Sequence, residues 1–180
     1  MLNELKIFKD VIDRLNRNDI PYMVSGSIAM SYYVLPRMTR DIDIVIEIND
    51  PEKFYNIFKD DYFVDLKMVK DAINRKQIFN IIHLNEIIKI DFIIRKDEHY
   101  RINEFNRKRK IKIDDLYIYI VSIEDLIISK LLWAKDNHSE LQIRDVKNLL
   151  KEKIDLSYIN TWIKNLELEE FFNKVVKENK

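Results

Sequence analysis

Residues 42–48 read IDIVIEI and alternate with the two-residue period of a β-strand. The four isoleucines would share one face, which suits burial against a core. Asp43 lies on the opposite face, together with Asp41 just before the run, with Cα atoms roughly 6.5–7 Å apart. Two like charges at this spacing repel each other unless a cation or a basic side chain compensates them. Such a carboxylate pair can ligate Mg²⁺, which prefers oxygen ligands and is often shared with substrate phosphates.

A third acid stands inside another apolar strand pattern, EIIKIDFII at residues 86–94. Asp91 falls on the polar side of this strand, with Ile90, Phe92 and Ile94 on the other side. If this strand lies beside residues 42–48, three carboxylates converge. A two-metal phosphoryl-transfer site, with ions about 3.5–4 Å apart, then becomes a specific expectation.

Gly26 is the only glycine among 180 residues. It lies between a predicted strand, YMVS, and a predicted helix, SIAMSYY. A turn into a helix N-terminus offers unpaired N–H groups to an anion, and glycine lets the backbone approach closely or take a positive φ. The hydroxyl of Ser27 adds another phosphate donor. We therefore predict that Gly26 makes room for a triphosphate.

The remaining patterns predict an α+β fold: a small mixed β-sheet core with flanking helices and a helical C-terminal part. Helices are expected at residues 2–18, 27–35, 51–61 and around 66–74, and strands at 77–84, 86–94 and 109–122. From residue 123 onward the pattern is helical only. We predict a core at residues 1–121 and a packed helical region at 122–180, forming one structural unit.

Composition excludes several classes of function. The chain has no cysteine, so disulfides and thiol nucleophiles are impossible. Its 31 basic and 31 acidic residues cancel, which argues against a general polyanion binder. No apolar run is long enough to span a bilayer and no signal peptide is evident, so we expect a cytoplasmic protein without a membrane partner. The three histidines share no short spacing, and a single glycine cannot build a Walker loop.

The segment GSIAMSYYVLPRMTRDIDIVIEI, followed by KIDFI, resembles the nucleotidyltransferase superfamily that includes DNA polymerase β. Members carry Gly-Gly or Gly-Ser, a short helix, Asp-x-Asp on a strand and a third Asp on a neighbouring strand. More narrowly, RMTRDID is similar to the motif of prokaryotic minimal nucleotidyltransferases and AbiEii-type toxins. The later segment SIEDLIISKLLWAKDNHSELQIRDVKNLL is also similar to those proteins.

The resemblance implies transfer of NMP from an NTP to an acceptor hydroxyl, with release of pyrophosphate. It implies two Mg²⁺ ions, held by Asp41, Asp43 and Asp91, which would also be the catalytic residues. Nucleotide-binding roles are implied for a further set: Gly26, Ser27, Arg37, Thr39, Lys130 and Asp145.

The acceptor and the partners remain open at this point. The resemblance suggests an RNA end such as tRNA, or a partner protein, within a toxin–antitoxin pair that would supply an antitoxin partner. A small hydroxyl compound such as an aminoglycoside is a third option. The alternative to an enzyme is a catalytically silent module that binds a nucleotide or RNA.

Structural roles compete with these assignments. Asp41 and Asp43 could be solvated acids paired with Arg37 or Arg40, and Thr39 could brace a turn. The basic run RINEFNRKRKIK at residues 101–112 could grip a nucleic-acid backbone, or be a solvated edge strand whose charges discourage sheet pairing.

Residues of the helical region have competing roles as well. Lys130 could be an ordinary helix lysine paired with Glu124 or Asp125, and Asp145 could bridge to a basic neighbour. The two tryptophans, Trp133 and Trp162, lie at helix positions that favour the core over base stacking.

Overall fold

The computed structural model describes residues 2–35 and 42–177 and has the predicted α+β architecture, with helices packed on a mixed sheet. The strands are β1 (Tyr22–Val24), β2 (Ile42–Ile46), β3 (Tyr62–Phe63), β4 (Ile78–His83), β5 (Lys89–Ile94), β6 (Arg109–Ile113) and β7 (Leu116–Ile120). The helices are α1 (Leu2–Arg17), α2 (Gly26–Tyr33), α3 (Pro51–Phe58), α4 (Leu66–Arg75), α5 (His99–Asn106), α6 (Ile123–Asn137), α7 (Glu140–Leu149), α8 (Leu156–Asn165) and α9 (Glu169–Lys177).

The strands form one sheet in the order β3-β4-β5-β2-β1-β7-β6. Strand β2 runs parallel to β5, and β1 runs parallel to β7. The other neighbours are antiparallel. The sheet is therefore mixed, and β2 lies near its centre between β5 and β1.

Strand β2 forms as its alternation predicts. Its isoleucines Ile42, Ile44 and Ile46 are buried, whereas Asp43 is only partly buried on the opposite face. The isoleucine face packs into a core cluster with α1 and α3. Phe54 of α3 contributes to this cluster by stacking edge-on against Phe92 of β5, with ring centroids 5.0 Å apart. This packing anchors β2 and β5 and presents their polar face away from the first core.

A second core cluster joins the middle of the sheet to the helical C-terminal part. It contains Met23 of β1 and Ala29 of α2 together with Leu126 and Leu131 of α6. Helix α6 consequently lies against α2, the helix that begins at the glycine turn. The division of the chain at residues 121 and 122 stays a prediction.

Helix starts agree with the local sequence. Five helices of the described residues have an N-cap side chain that accepts a backbone N–H bond: Asp50, Asp65, Ser122, Ser139 and Asp155. Such caps satisfy donors that the first helical turn leaves unpaired. The boundaries of α3, α4 and the C-terminal helices therefore follow from short polar residues at their starts.

Three features differ from the sequence-based expectations. Residues 109–122 form a hairpin of two strands rather than one strand region, and the two-residue strand β3 was not predicted. Helix α5 occupies part of the basic run that was interpreted as an edge strand. Its buried face is formed by Tyr100, Glu104 and Phe105, and the buried acid conceals the helical apolar period.

Among the helices of the described residues, none has the length and apolarity needed to cross a bilayer.

Candidate active site

The predicted meeting of two acidic strands is confirmed. Asp43 of β2 and Asp91 of β5 are register partners on parallel strands. Neighbouring strands lie about 4.8 Å apart, and paired residues point to the same face. The two carboxylates therefore emerge side by side at the centre of the sheet.

Gly26 lies directly beside this acidic pair. Its φ is +60°, a left-handed conformation that residues with a Cβ adopt at a cost. A Cβ built on Gly26 would overlap Oδ2 of Asp43 and lie 2.9 Å from its Cγ. The structure thus gives the single glycine a neighbour that the sequence did not predict: the space beside it holds the Asp43 carboxylate.

The turn around Gly26 is tied to β2 by the backbone. The N–H of Ser25 donates to the carbonyl oxygen of Asp43 at 2.9 Å. Helix α2 starts at Gly26, one residue before the predicted start, and Ser27 is 9% exposed within its first turn. The N-terminus of α2, with its partial positive charge, therefore lies next to Asp43.

Lys89 is a site residue that sequence analysis missed. Its Nζ lies 2.8 Å from Oδ2 of Asp91, and the lysine side chain is 46% exposed. Lys89 and Asp91 are two residues apart on β5 and so share a face. That spacing, in KID, was visible in the sequence as a signal for a same-face ion pair.

Asn80 of β4 is a second residue that sequence analysis missed. It is the register partner of Asp91, on the side of β5 away from β2. Asp43, Asp91 and Asn80 thus form a row across three neighbouring strands. Asn80 is half-buried among apolar strand neighbours, and within residues 2–35 and 42–177 its amide has no hydrogen-bond partner. Only the pairing of β4 with β5 brings it to the acids.

Lys130 and Asp145 form a buried ion pair between α6 and α7. The lysine Nζ is 2.8 Å from Oδ2 of Asp145, and their side chains are 5% and 2% exposed. The same Nζ donates to Oε1 of Gln142 at 2.8 Å. Lys130 therefore pairs across helices with Asp145, rather than with Glu124 or Asp125 on its own helix.

Three candidate site residues, Arg37, Thr39 and Asp41, lie at positions 36–41, outside the described residues. Within the part of the chain that the structure describes, no group of three His, Asp or Glu side chains could hold a metal. Asp43 and Asp91 do supply two oxygen ligands side by side. Hard oxygen donors of this kind fit Mg²⁺, and Asp41 stays a prediction as the third.

A separate polar network joins α5, α6 and α8. The buried carboxylate of Asp125 accepts hydrogen bonds from Ser122 at 2.6 Å, Arg107 at 3.0 Å and Tyr158 at 2.6 Å. Burial and the neighbouring Asp125 raise the pKa of Tyr158. With three donors on one buried acid, this network serves to hold the helices together.

Glu104 belongs to a neighbouring part of the same interface. It accepts from Arg101 at 2.8 Å and from Ser129 at 2.5 Å. Burial raises the pKa of Glu104, and the partners Arg101 and Ser129 only partly oppose that shift. The basic residues Arg101 and Arg107 thus both form ion pairs with acids of the same chain.

The expectation that both tryptophans lie in the core is correct for Trp162 and wrong for Trp133. Trp162 is 8% exposed and packs against Tyr100, whereas Trp133 is 53% exposed on α6. Trp133 lies one helical turn beyond Lys130, on the rim of the buried face rather than within it.

Comparisons with solved structures identify the fold. TM1012 of Thermotoga maritima, a candidate nucleotidyltransferase, matches with a TM-score of 0.57 and 17% identity, over 78% of this chain and 91% of that chain. ANT(2'')-Ia in complex with adenylyl-2''-tobramycin matches with a TM-score of 0.54 and 12% identity, over 94% and 99% of the two chains. The chain has the nucleotidyltransferase fold. The lincosamide antibiotic adenylyltransferase LnuA, bound to lincomycin, shares this fold with a TM-score of 0.53 and 16% identity, over 83% and 96%.

These similarities confirm the predicted fold, and a narrower likeness to AbiEii-type toxins is not among them. No protein-family model matches the sequence, and no curated protein matches it significantly.

Proposed function

We propose that the chain transfers a nucleoside monophosphate from an NTP to an acceptor hydroxyl and releases pyrophosphate, with Mg²⁺ as cofactor. The observation that carries the proposal is the pairing of Asp43 with Asp91 beside the turn at Gly26. The shared fold with adenylyltransferases supports the same class of reaction.

In this proposal the donor nucleotide lies on the β1 side of the acidic pair. The N-terminal N–H groups of α2 and the hydroxyl of Ser27 bind the β- and γ-phosphates, since a helix N-terminus favours anions. Gly26 lets this turn approach Asp43 closely. Arg37 and Thr39 remain candidates for contacts to the same triphosphate.

Asp43 and Asp91, with Asp41 as the third predicted ligand, would hold the metal. Mg²⁺ bound there would neutralise the phosphate charge and polarise the reacting oxygens. Asp91 also orients the acceptor hydroxyl and accepts its proton as the hydroxyl oxygen bonds to the α-phosphorus. The bond from the α-phosphorus to the bridging oxygen then breaks, and pyrophosphate leaves with its electron pair.

Lys130 binds the triphosphate in this proposal, and Asp145 acts as its positioning residue. Their buried ion pair fixes α7 against α6, and α6 packs on α2 through Ala29 and Leu131. Asp145 therefore orients Lys130, as expected for a lysine that reaches the triphosphate. Positioning and electrostatic stabilisation would supply most of the acceleration, as in phosphoryl transfer generally.

For the acceptor we propose an RNA end such as tRNA, or a partner protein within a toxin–antitoxin pair. A small polyhydroxy compound is the second candidate. It is favoured by two structural neighbours, one in complex with adenylyl-2''-tobramycin and one bound to lincomycin.

The test is a pyrophosphate-release assay with Mg²⁺ and each α-labelled NTP. Cellular RNA, lysate protein, tobramycin and lincomycin are offered in turn. The variant is the Asp43→Asn/Asp91→Asn double substitution. A matched control, Asp60→Asn/Asp71→Asn, removes two exposed acids elsewhere.

Label that appears on one acceptor, persists in the control and vanishes in the site variant supports the proposal and names the acceptor. Release that is equal in both variants would overturn it. A rise in Tm with Mg²⁺ and NTP, but no pyrophosphate release with any acceptor, would favour the catalytically silent binding module.

A further inference from the structure

The β6–β7 hairpin carries lysine and tyrosine side chains in facing positions. Lys110 pairs with Tyr119, and Lys112 pairs with Tyr117, across the antiparallel register. These four residues, here named the Lys–Tyr strip, emerge on one face of the hairpin. The Nζ of Lys110 lies 4.4 Å from the ring centroid of Tyr117, and that of Lys112 lies 5.8 Å from it.

Positive charge is concentrated in β6 and the two residues before it, whereas the turn that follows β6 carries Asp114 and Asp115. Five of the seven residues at 107–113 are basic, in a chain whose formal net charge is zero. Among these residues Arg107 is engaged by Asp125 at 3.0 Å. Lys110 and Lys112 are exposed, and no carboxylate among the described residues forms an ion pair with either. The strip therefore presents uncompensated ammonium groups to solvent.

The tyrosines add apolar surface between the charges. Tyr117 is 51% exposed, and Tyr119 is half-buried with its ring packed edge-on against Tyr22, with centroids 5.6 Å apart. Tyr119 is therefore fixed by its contact with the core, whereas the ring of Tyr117 is half-exposed and contacts the two lysines of the strip. Aromatic rings flanked by cationic side chains suit the stacking of bases whose phosphates contact the cations.

The position of β6 raises a competing explanation. Strand β6 ends the sheet, and lysines on an edge strand prevent pairing with other chains. Protection of the edge strand requires only the charge of the lysines and does not require an exposed tyrosine between them. The exposed ring of Tyr117 is therefore the feature that separates the two explanations.

We propose that the Lys–Tyr strip binds single-stranded RNA, with phosphates on Lys110 and Lys112 and a base stacked on Tyr117. This binding requires only the residues of the hairpin and does not depend on the proposed transfer reaction. Strand β6 lies three strand spacings from β2, about 15 Å, which a few nucleotides can span. The assignment of the bound strand as the acceptor rests on the proposed function.

The test measures fluorescence anisotropy of a labelled oligouridylate of about 12 nucleotides, in about 50 mM salt without NTP or Mg²⁺. The variants are Lys110→Gln/Lys112→Gln and Tyr117→Leu. The matched controls are Lys164→Gln/Lys174→Gln, which removes two exposed lysines, and Phe63→Leu, which removes another exposed aromatic ring.

The lysine pair variant should bind more weakly, with the slope of log affinity against log salt smaller by about 1.4, since each single-strand phosphate contact contributes about 0.7. Tyr117→Leu should weaken binding about 5- to 150-fold with the slope unchanged. Both controls should bind like the unmodified chain.

Failure of the unmodified chain to bind the oligonucleotide overturns the proposal. An equal loss of affinity in the control lysine pair, or an unchanged affinity in Tyr117→Leu, also overturns it. Either result would show that the RNA is attracted by general charge and not by the Lys–Tyr strip. A parallel measurement of Tm with Mg²⁺ and NTP distinguishes failure of the strip from failure of the nucleotide site.

Discussion

Asp43 and Asp91 are register partners on parallel neighbouring strands, although 48 positions separate them in the chain. The pairing brings two like charges together at the centre of a sheet whose other face is buried. Asp91 is paired with Lys89 at 2.8 Å. Such a concentration of negative charge next to a helix N-terminus is expected to bind a cation together with phosphates.

Asp43→Asn should abolish the rise in Tm that Mg²⁺ and NTP produce, because it removes a predicted metal ligand. Differential scanning fluorimetry with Mg²⁺ and NTP, compared with the same variant in a chelator, measures the effect. A variant that keeps the full ligand-dependent rise would exclude Asp43 from the metal site.

Gly26→Ala should destabilise the chain by about 1–3 kcal/mol and disturb the position of Asp43. The added Cβ would occupy a left-handed backbone position and overlap the Asp43 carboxylate. Urea unfolding measures the loss. Ser25→Ala is the control, because that neighbouring side chain makes no capping hydrogen bond. Equal stability of the two variants would contradict the geometry at Gly26.

Lys130→Met should cost about 3–5 kcal/mol of unfolding free energy, because it breaks a buried ion pair by removing one member. The double substitution Lys130→Met/Asp145→Leu should recover much of that loss, since apolar side chains then replace both members of the pair. A double-mutant cycle in urea isolates the pair. Additive losses would show that the two residues are not coupled.

Glu104 should make stability depend on pH. Burial raises its pKa in the folded chain above the value of about 4.3 in the unfolded chain. Its contribution to stability is therefore complete below that unfolded pKa and is lost as pH rises through the folded pKa. The unfolding free energy of the unmodified chain, minus that of Glu104→Gln, should decrease as pH rises from about 4 to 7. A flat difference would contradict the raised pKa.

We expect Asn80, beside Asp91 in the row of polar side chains, to donate one hydrogen bond to the acceptor. Asn80→Ala should therefore lower kcat/KM for transfer about 2- to 10-fold, the cost of that hydrogen bond. The rise in Tm with Mg²⁺ and NTP should persist, because Asn80 lies on the side of Asp91 away from the glycine turn. Asn56→Ala, an exposed amide on α3, is the control. Loss of the nucleotide-dependent rise would place Asn80 on the donor side instead.

Local sequence patterns predicted most of the elements correctly. The alternation at residues 42–48 and the apolar run around Asp91 predicted β2 and β5, because side-chain orientation along a strand is set by position alone. Helix α5 was missed, since its buried face includes Glu104, whose burial depends on Ser129 of α6 as well as on Arg101 one turn earlier in the same helix. Trp133 was misjudged because helical spacing places a residue near a face without defining where that face ends.

By itself, the sequence determined the parts of the site that depend on short-range order: an acid on the polar face of each strand and one glycine before a helix. The tertiary structure alone decided how these parts meet. The parallel register places Asp43 opposite Asp91, the antiparallel register adds Asn80, and the packing of α7 on α6 brings Asp145 to Lys130. These contacts join residues far apart in the chain, where pairing is chosen by the whole hydrophobic core rather than by local propensity.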